Sequence, residues 1–92
     1  MTAFEWDAGN ERHVARHGIK PYEAEQAATD LLALNRKVYD TPTERRQAMV
    51  GATIAGRLLF VVITQRGEKT RVVMARPTKR SERVGYEAQN TW

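Results

Sequence analysis

Arginines and two histidines are the side chains of this sequence best suited to chemistry. Arg57, Arg71 and Arg76 frame two apolar runs, and Lys79, Arg80 and Arg83 follow at once. A guanidinium donates in a rigid fork that matches phosphate oxygens. Aimed at a phosphate under attack, it stabilises the charge that develops there. His17 stands before Gly18, with His13 four residues earlier. His17 can move protons near neutral pH. Position offers two other readings: His17 as a cap that complements a helix dipole, and the i,i+4 pair as metal ligands. No carboxylate joins the pair in a recognisable metal motif, so no metal is expected. Trp6, Tyr22, Tyr39 and Tyr86 can stack on bases, although Trp6 and Tyr22 are expected in the core. Glu44, Glu68 and Glu82 read as solvated charges. There is no nucleotide-binding glycine loop, and Ser81, the only serine, sits in a basic segment without a nucleophile motif.

The charge is unevenly spread. Residues 1–44 carry five Lys or Arg and eight Asp or Glu, a net −3, while residues 45–92 carry ten and three, a net +7. Eleven of the fifteen basic residues are arginine. Such a basic half suits nucleic acid or another polyanion. An ordinary basic surface and an acidic protein partner are the other readings. The 92 residues are expected to form a single domain, 1–92, with a core of one sheet and a few helices. No cysteine is present, hence no disulfide and no thiolate metal site. With no membrane-length apolar run and no signal-peptide pattern, a cytoplasmic protein is expected.

These side chains must be positioned by a hairpin. Residues 57–64 and 70–76 are β-rich runs joined by Gln65-Arg66-Gly67-Glu68-Lys69. The first run is apolar on both faces and reads as a central strand, covered on both sides or nearly so. Alternation along the second puts Arg76 with Val72 and Met74, and Arg71 with Val73 and Ala75. Arg76 is then the better site candidate, and Arg71 closes an ion pair.

Upstream, residues 3–6 suit an edge strand. Asp7 caps a helix from Ala8 to His17, closed by Gly18 in the left-handed conformation. Pro21 opens a second helix with Tyr22, Ala24, Ala27, Ala28, Leu31 and Leu32 inward, ending near Asp30. Residues 32–39 and 46–54 read as strands, the latter with Ala48, Val50 and Ala52 on one face. Ala55-Gly56 is a turn. After Pro77, Thr78 caps a last helix from about Lys79 to Gln89, with Arg83 and Glu87 as an i,i+4 pair. The expected fold is α+β, a small antiparallel meander of four to five strands flanked by helices, in the order β-α-α-β-β-β-β-α.

A set of segments resembles the BrnT-type toxins of type II toxin–antitoxin systems. They are Phe4-Glu5-Trp6-Asp7, Arg16-His17-Gly18-Ile19, Tyr22-Glu23-Ala24, Arg46 with Gly51, Gly56-Arg57-Leu58-Leu59, residues 71–76, and residues 79–83 with Tyr86-Glu87. Three positions depart from that pattern: Asn10 and Arg16 stand where lysine is usual, and His13 where asparagine is. The resemblance implies a RelE-like fold and an endoribonuclease that cleaves RNA and inhibits translation. It also implies a cognate BrnA-like antitoxin with a ribbon-helix-helix part, operator DNA being met only through the complex. Carried over by position, it implies catalytic residues His17, Arg46, Arg57 and Arg76, and substrate-binding residues Arg16, Lys79, Arg80, Arg83 and Tyr86.

The reaction expected is metal-independent attack of a 2′-hydroxyl on the adjacent phosphate, with no cofactor. Arg57 and Arg76 would stabilise the phosphorane, and His17 would transfer the proton. The alternative is a non-catalytic basic module that holds RNA or DNA, or a subunit that binds a protein partner. A homodimer through an exposed edge strand and a heterotetramer with the antitoxin are the oligomers expected.

Overall fold

The structure, a computed structural model, describes residues 3–91. Its elements are β1 (Ala3–Glu5), α1 (Ala8–Ala15), α2 (Pro21–Ala28), β2 (Leu34–Asp40), β3 (Arg45–Ala52), β4 (Leu58–Arg66), β5 (Lys69–Pro77) and α3 (Arg80–Gln89). The five strands form one sheet in the order β1-β5-β4-β3-β2. Strands β2 to β5 are the expected antiparallel meander. Strand β1 instead runs parallel to β5, so the sheet is mixed and not wholly antiparallel. The crossover through α1, α2 and the meander brings the start of the chain back beside its late hairpin. Gly67, at φ +60, opens the two-residue turn between β4 and β5.

One face of the sheet is packed by α1 and α2, and only its Val38–Gln47–Ile63 end lies open. Val14 of α1, Ile19, and Ala24 and Ala27 of α2 pack on Met49, Leu59, Val61, Val72 and Ala75. Helix α2 comes so close to β3 that a Cβ on Gly51 would lie 1.9 Å from the Ala27 carbonyl oxygen. Trp6 packs against this core and donates from Nε1 to Glu25 Oε2 at 2.7 Å. Tyr22, Leu31 and Leu32 were expected inward with the alanines, but all three are exposed. Helix α2 stops at Ala28, so the two leucines fall in the following loop, and Tyr22 takes its outer side.

The opposite face is only partly covered. Pairing sets its side chains in rows across the strands. One row is Leu34–Val50–Phe60–Arg76, the next Lys37–Ala48–Val62–Met74, and the third Tyr39–Arg46–Thr64–Arg71. Helix α3 lies over the first row, with Gly85 against Leu34. The central strand β4 is therefore covered by helices on one side, while α3 on the other side packs on β2 and β3. Lys79, not Thr78, is the N-cap of α3. Arg83 makes no ion pair with Glu87 among the described residues and donates to the Thr78 carbonyl.

Candidate functional site

The open face holds a groove of about 520 Å³ between α3 and β2. Its floor is Ala48, Phe60, Val62 and Met74, and its walls include Arg36, Lys37, Tyr39 and Glu82. The Lys37 Nζ sits 4.9 Å from the Tyr39 ring centroid. The Arg76 guanidinium lies 4.1 Å from the Phe60 centroid. Such cation–ring stacks keep long basic side chains flat against the sheet.

Farther along the same face, a recess of about 260 Å³ is lined by Gly9, Asn10, His13, Glu44, Arg46, Arg66, Arg71 and Val73. Its wall exists because α1 runs beside the outer edge of β5, where the short β1 ends. Asn10 Nδ2 donates to the carbonyls of Glu5 and Val72, at 3.0 and 3.1 Å, and continues the edge pairing that β1 begins. Asp7 caps this helix through the Gly9 and Asn10 amides.

Arg71 belongs to this face, although simple alternation puts it opposite Arg76. A β-bulge at Val73 inserts one residue into β5 between the Val62 and Ile63 pairs. The extra residue reverses the facing of everything before it. Arg71 thus pairs across to Thr64, in line with Arg46. An alternating chain of charges runs along the recess: Arg46–Glu44–Arg66–Glu5–Arg71–Asp7, with contacts of 2.8–3.7 Å. Arg71 and the capped amides hold the Asp7 carboxyl down at about 2. Glu44 is also held below its ordinary value, chiefly by Arg46. It is a paired carboxylate rather than a solvated one, with a side chain 17% exposed.

Glu82 is likewise buried, not solvated. Its two oxygens take a bidentate contact from Arg76 at 2.9 and 2.8 Å. One of them also accepts the Lys79 amide at 2.7 Å. The Arg76 guanidinium keeps the Glu82 carboxyl below its ordinary value in spite of burial. Glu68 is exposed, as expected.

The remaining site candidates scatter. Arg57 lies on the helix side, donating to the Gly18 carbonyl at 3.1 Å and to Glu23 at 3.4 Å. It does not meet Arg76. His17 and Arg16 are exposed at the end of α1, and the His17 ring centroid stands 6.0 Å from that of His13. His17 lines neither the groove nor the recess. Lys79, Arg80 and Arg83 ring the start of α3 without carboxylate partners within 4 Å among the described residues. Arg36 and Lys37 are equally unpaired on β2.

The chain matches the model of a family described as the ribonuclease toxin, BrnT, of the type II toxin–antitoxin system, over residues 6–82. It belongs to the BrnT family. Among curated proteins, none matches it. BrnT membership carries ribonuclease activity and an antitoxin partner at the level of the family. The α+β order of elements expected from the sequence is also the one observed, apart from the parallel β1. No helix among the described residues is long and apolar enough to cross a membrane. The described residues hold no cluster of three or more His, Cys, Asp or Glu suited to a metal.

Tyr86 of this BrnT chain anchors α3. Its hydroxyl donates to Asp30 Oδ2 at 2.6 Å, and the same oxygen accepts the Ala52 amide. Burial and this bond push the phenol up to about 12. For Asp30, burial opposes ionisation, but the Tyr86 hydroxyl and the Ala52 and Leu32 amides outweigh it, and the carboxyl sits below its ordinary value. Tyr86→Phe should cost about 2 kcal/mol in denaturant melts, the worth of a hydrogen bond to a charged group. Its RNA affinity at a temperature where it is folded should stay within about twofold of the parent. A tenfold loss there would make the hydroxyl a ligand contact.

Proposed function

We propose that this BrnT chain is a metal-independent endoribonuclease that cuts RNA on the open face of its sheet and so inhibits translation. The observation that carries this reading is the row Tyr39–Arg46–Thr64–Arg71. Two arginines flank one small residue, about 10 Å apart between backbones, at the mouth of a groove with an apolar floor and stackable rings. A phosphate seated over Thr64 meets both guanidiniums, and a base can lie along Tyr39. Unpaired Arg36, Lys37, Lys79, Arg80 and Arg83 at the groove's ends then guide the strand's flanking phosphates. Arg76 and Glu82 shape the groove wall, and Arg57, His17 and Arg16 lie outside this set.

Charge stabilisation by preset guanidiniums supplies what the attack of a 2′-hydroxyl needs at phosphorus. The same basic rim suits an acidic segment of a BrnA-like antitoxin, whose ribbon-helix-helix part would meet operator DNA. RNA and antitoxin then compete for one surface in the cytoplasm.

The test is cleavage of free RNA in EDTA, and of message on translating ribosomes, by antitoxin-free protein. Arg46→Ala should cut about a hundredfold more slowly, as for loss of one well-placed charge contact. Arg46 is the informative choice because its partner Glu44 keeps Arg66 as a second partner, whereas truncating Arg76 strands a buried carboxylate. Equal rates for parent and Arg46→Ala would defeat the assignment. The carboxylate partners of Arg46, Arg71 and Arg76 also favour a second reading, a module that holds RNA without cutting it. That reading predicts binding with steep salt dependence and no cleaved product on either substrate.

A further inference from the structure

We propose that His13, not His17, transfers the proton in this site. The proposal rests on the ribonuclease reading above and names the residue that would activate its nucleophile. His13 is half-buried and lines the recess with Arg46, Arg66 and Arg71. Its placement is fixed from behind. Asn10, one turn earlier on the same side of α1, ties the helix to Glu5 and Val72 through its side-chain amide. Gly9, four residues before His13, has no side chain to close the recess above the ring. Neither ring nitrogen of His13 has a hydrogen-bond partner among the described residues. An imidazole held in an arginine-lined recess with its nitrogens unspent is placed for a substrate hydroxyl.

The step balances without a co-reactant. His13 takes the proton of the 2′-hydroxyl. The 2′-oxygen bonds to phosphorus while the bond from phosphorus to the 5′-oxygen breaks. The leaving 5′-oxygen takes a proton from water. The products are a 2′,3′-cyclic phosphate and a 5′-hydroxyl end. Arg46 and Arg71, in line across Thr64, face the phosphate's other oxygens.

The charged and titratable groups that face His13 are Glu44 just before β3, Arg46 from β3, Arg66 from β4 and Arg71 from β5, with His17 one turn on. A base acts unprotonated, so the rate should climb with pH over the range where histidines titrate, about 5 to 8.

The experiment measures single-turnover cleavage against pH, on free RNA and on translating ribosomes, for the parent, His13→Gln, His13→Asn and His17→Gln. Circular dichroism and melting confirm that each variant is folded. His13→Gln and His13→Asn should each lose about a hundredfold in rate and lose the climb with pH. The His17→Gln profile separates loss of an imidazole in the recess from loss of one at the helix end. A parent that cuts, beside a His13→Gln that keeps the rate and the climb, overturns the role of His13 and leaves the ribonuclease reading standing. A parent that cuts neither substrate overturns the ribonuclease reading and this role with it.

Discussion

Gly51→Ala should lower the melting temperature by about 12–24 °C. The added Cβ would fall 1.9 Å from the Ala27 carbonyl oxygen, 2.8 Å from its carbon and 3.2 Å from its Cα. All three are backbone atoms of α2, so no rotamer change relieves the clash. Either α2 lifts from the sheet or β3 bows away from it. Lifting α2 separates Ala24 and Ala27 from Met49, Leu59 and Val61, the centre of the core. Overpacking of this kind costs about 3 kcal/mol at the upper end of its usual range. For a chain of this size each kcal/mol is worth about 4–8 °C. Thermal melts of parent and variant read the difference directly. A fall of less than about 4 °C would mean that α2 does not seat against β3 as closely as described. Gly18, at φ +70 with nothing within 4 Å of an added Cβ, offers the contrast of backbone strain without a clash.

That glycine also shows where sequence reading stops. The period-two pattern of residues 46–54 gives a strand, and the strand is there as β3. A glycine inside such a pattern signals close backbone approach, but not which helix approaches. The order of elements was legible because each carries local punctuation: Asp7 and Pro21 at helix starts, Gly18 at a helix end, Gly67 in a turn. The parallel pairing of β1 with β5 was not, since three residues carry no signal for a partner more than sixty positions away. Nor was the facing of Arg71. The bulge at Val73 has no mark in Arg71-Val72-Val73-Met74, and one extra residue turns a side chain from one face to the other. Once that facing changes, the candidate site changes with it. Arg71 joins Arg46, while Arg57, similar to them in sequence as a strand-end arginine, is tied to Gly18 and Glu23 on the far side. His13 read only as a metal ligand paired with His17, and its place in the recess comes from the fold alone.

Glu82→Ala should cost about 3 kcal/mol at neutral pH and raise, not lower, the affinity for single-stranded RNA. Glu82 is 6% exposed and answers two groups at once: the Arg76 guanidinium and the Lys79 amide at the start of α3. Removing one partner of a buried ion pair costs about 3–5 kcal/mol, and the 19% exposure of the Arg76 side chain puts this case at the lower end. The cost depends on pH with a definite sign. The folded carboxyl sits below its ordinary value of 4.5, mainly because Arg76 favours the charged form. Its contribution is therefore complete above that value and is lost as pH falls through the lower folded value. Denaturant melts of parent and variant should differ fully at pH 7 and converge in stronger acid. A gap that stays constant down to pH 3 would assign the loss to packing instead. The binding consequence comes from the charge set free. With Glu82 gone, Arg76 remains stacked on Phe60 at the groove wall without its carboxylate. One more phosphate contact steepens the dependence of log affinity on log salt by about 0.7 for a single strand. An unchanged slope would mean that Arg76 cannot reach the RNA, and that its part in this BrnT chain is to hold α3 over the sheet.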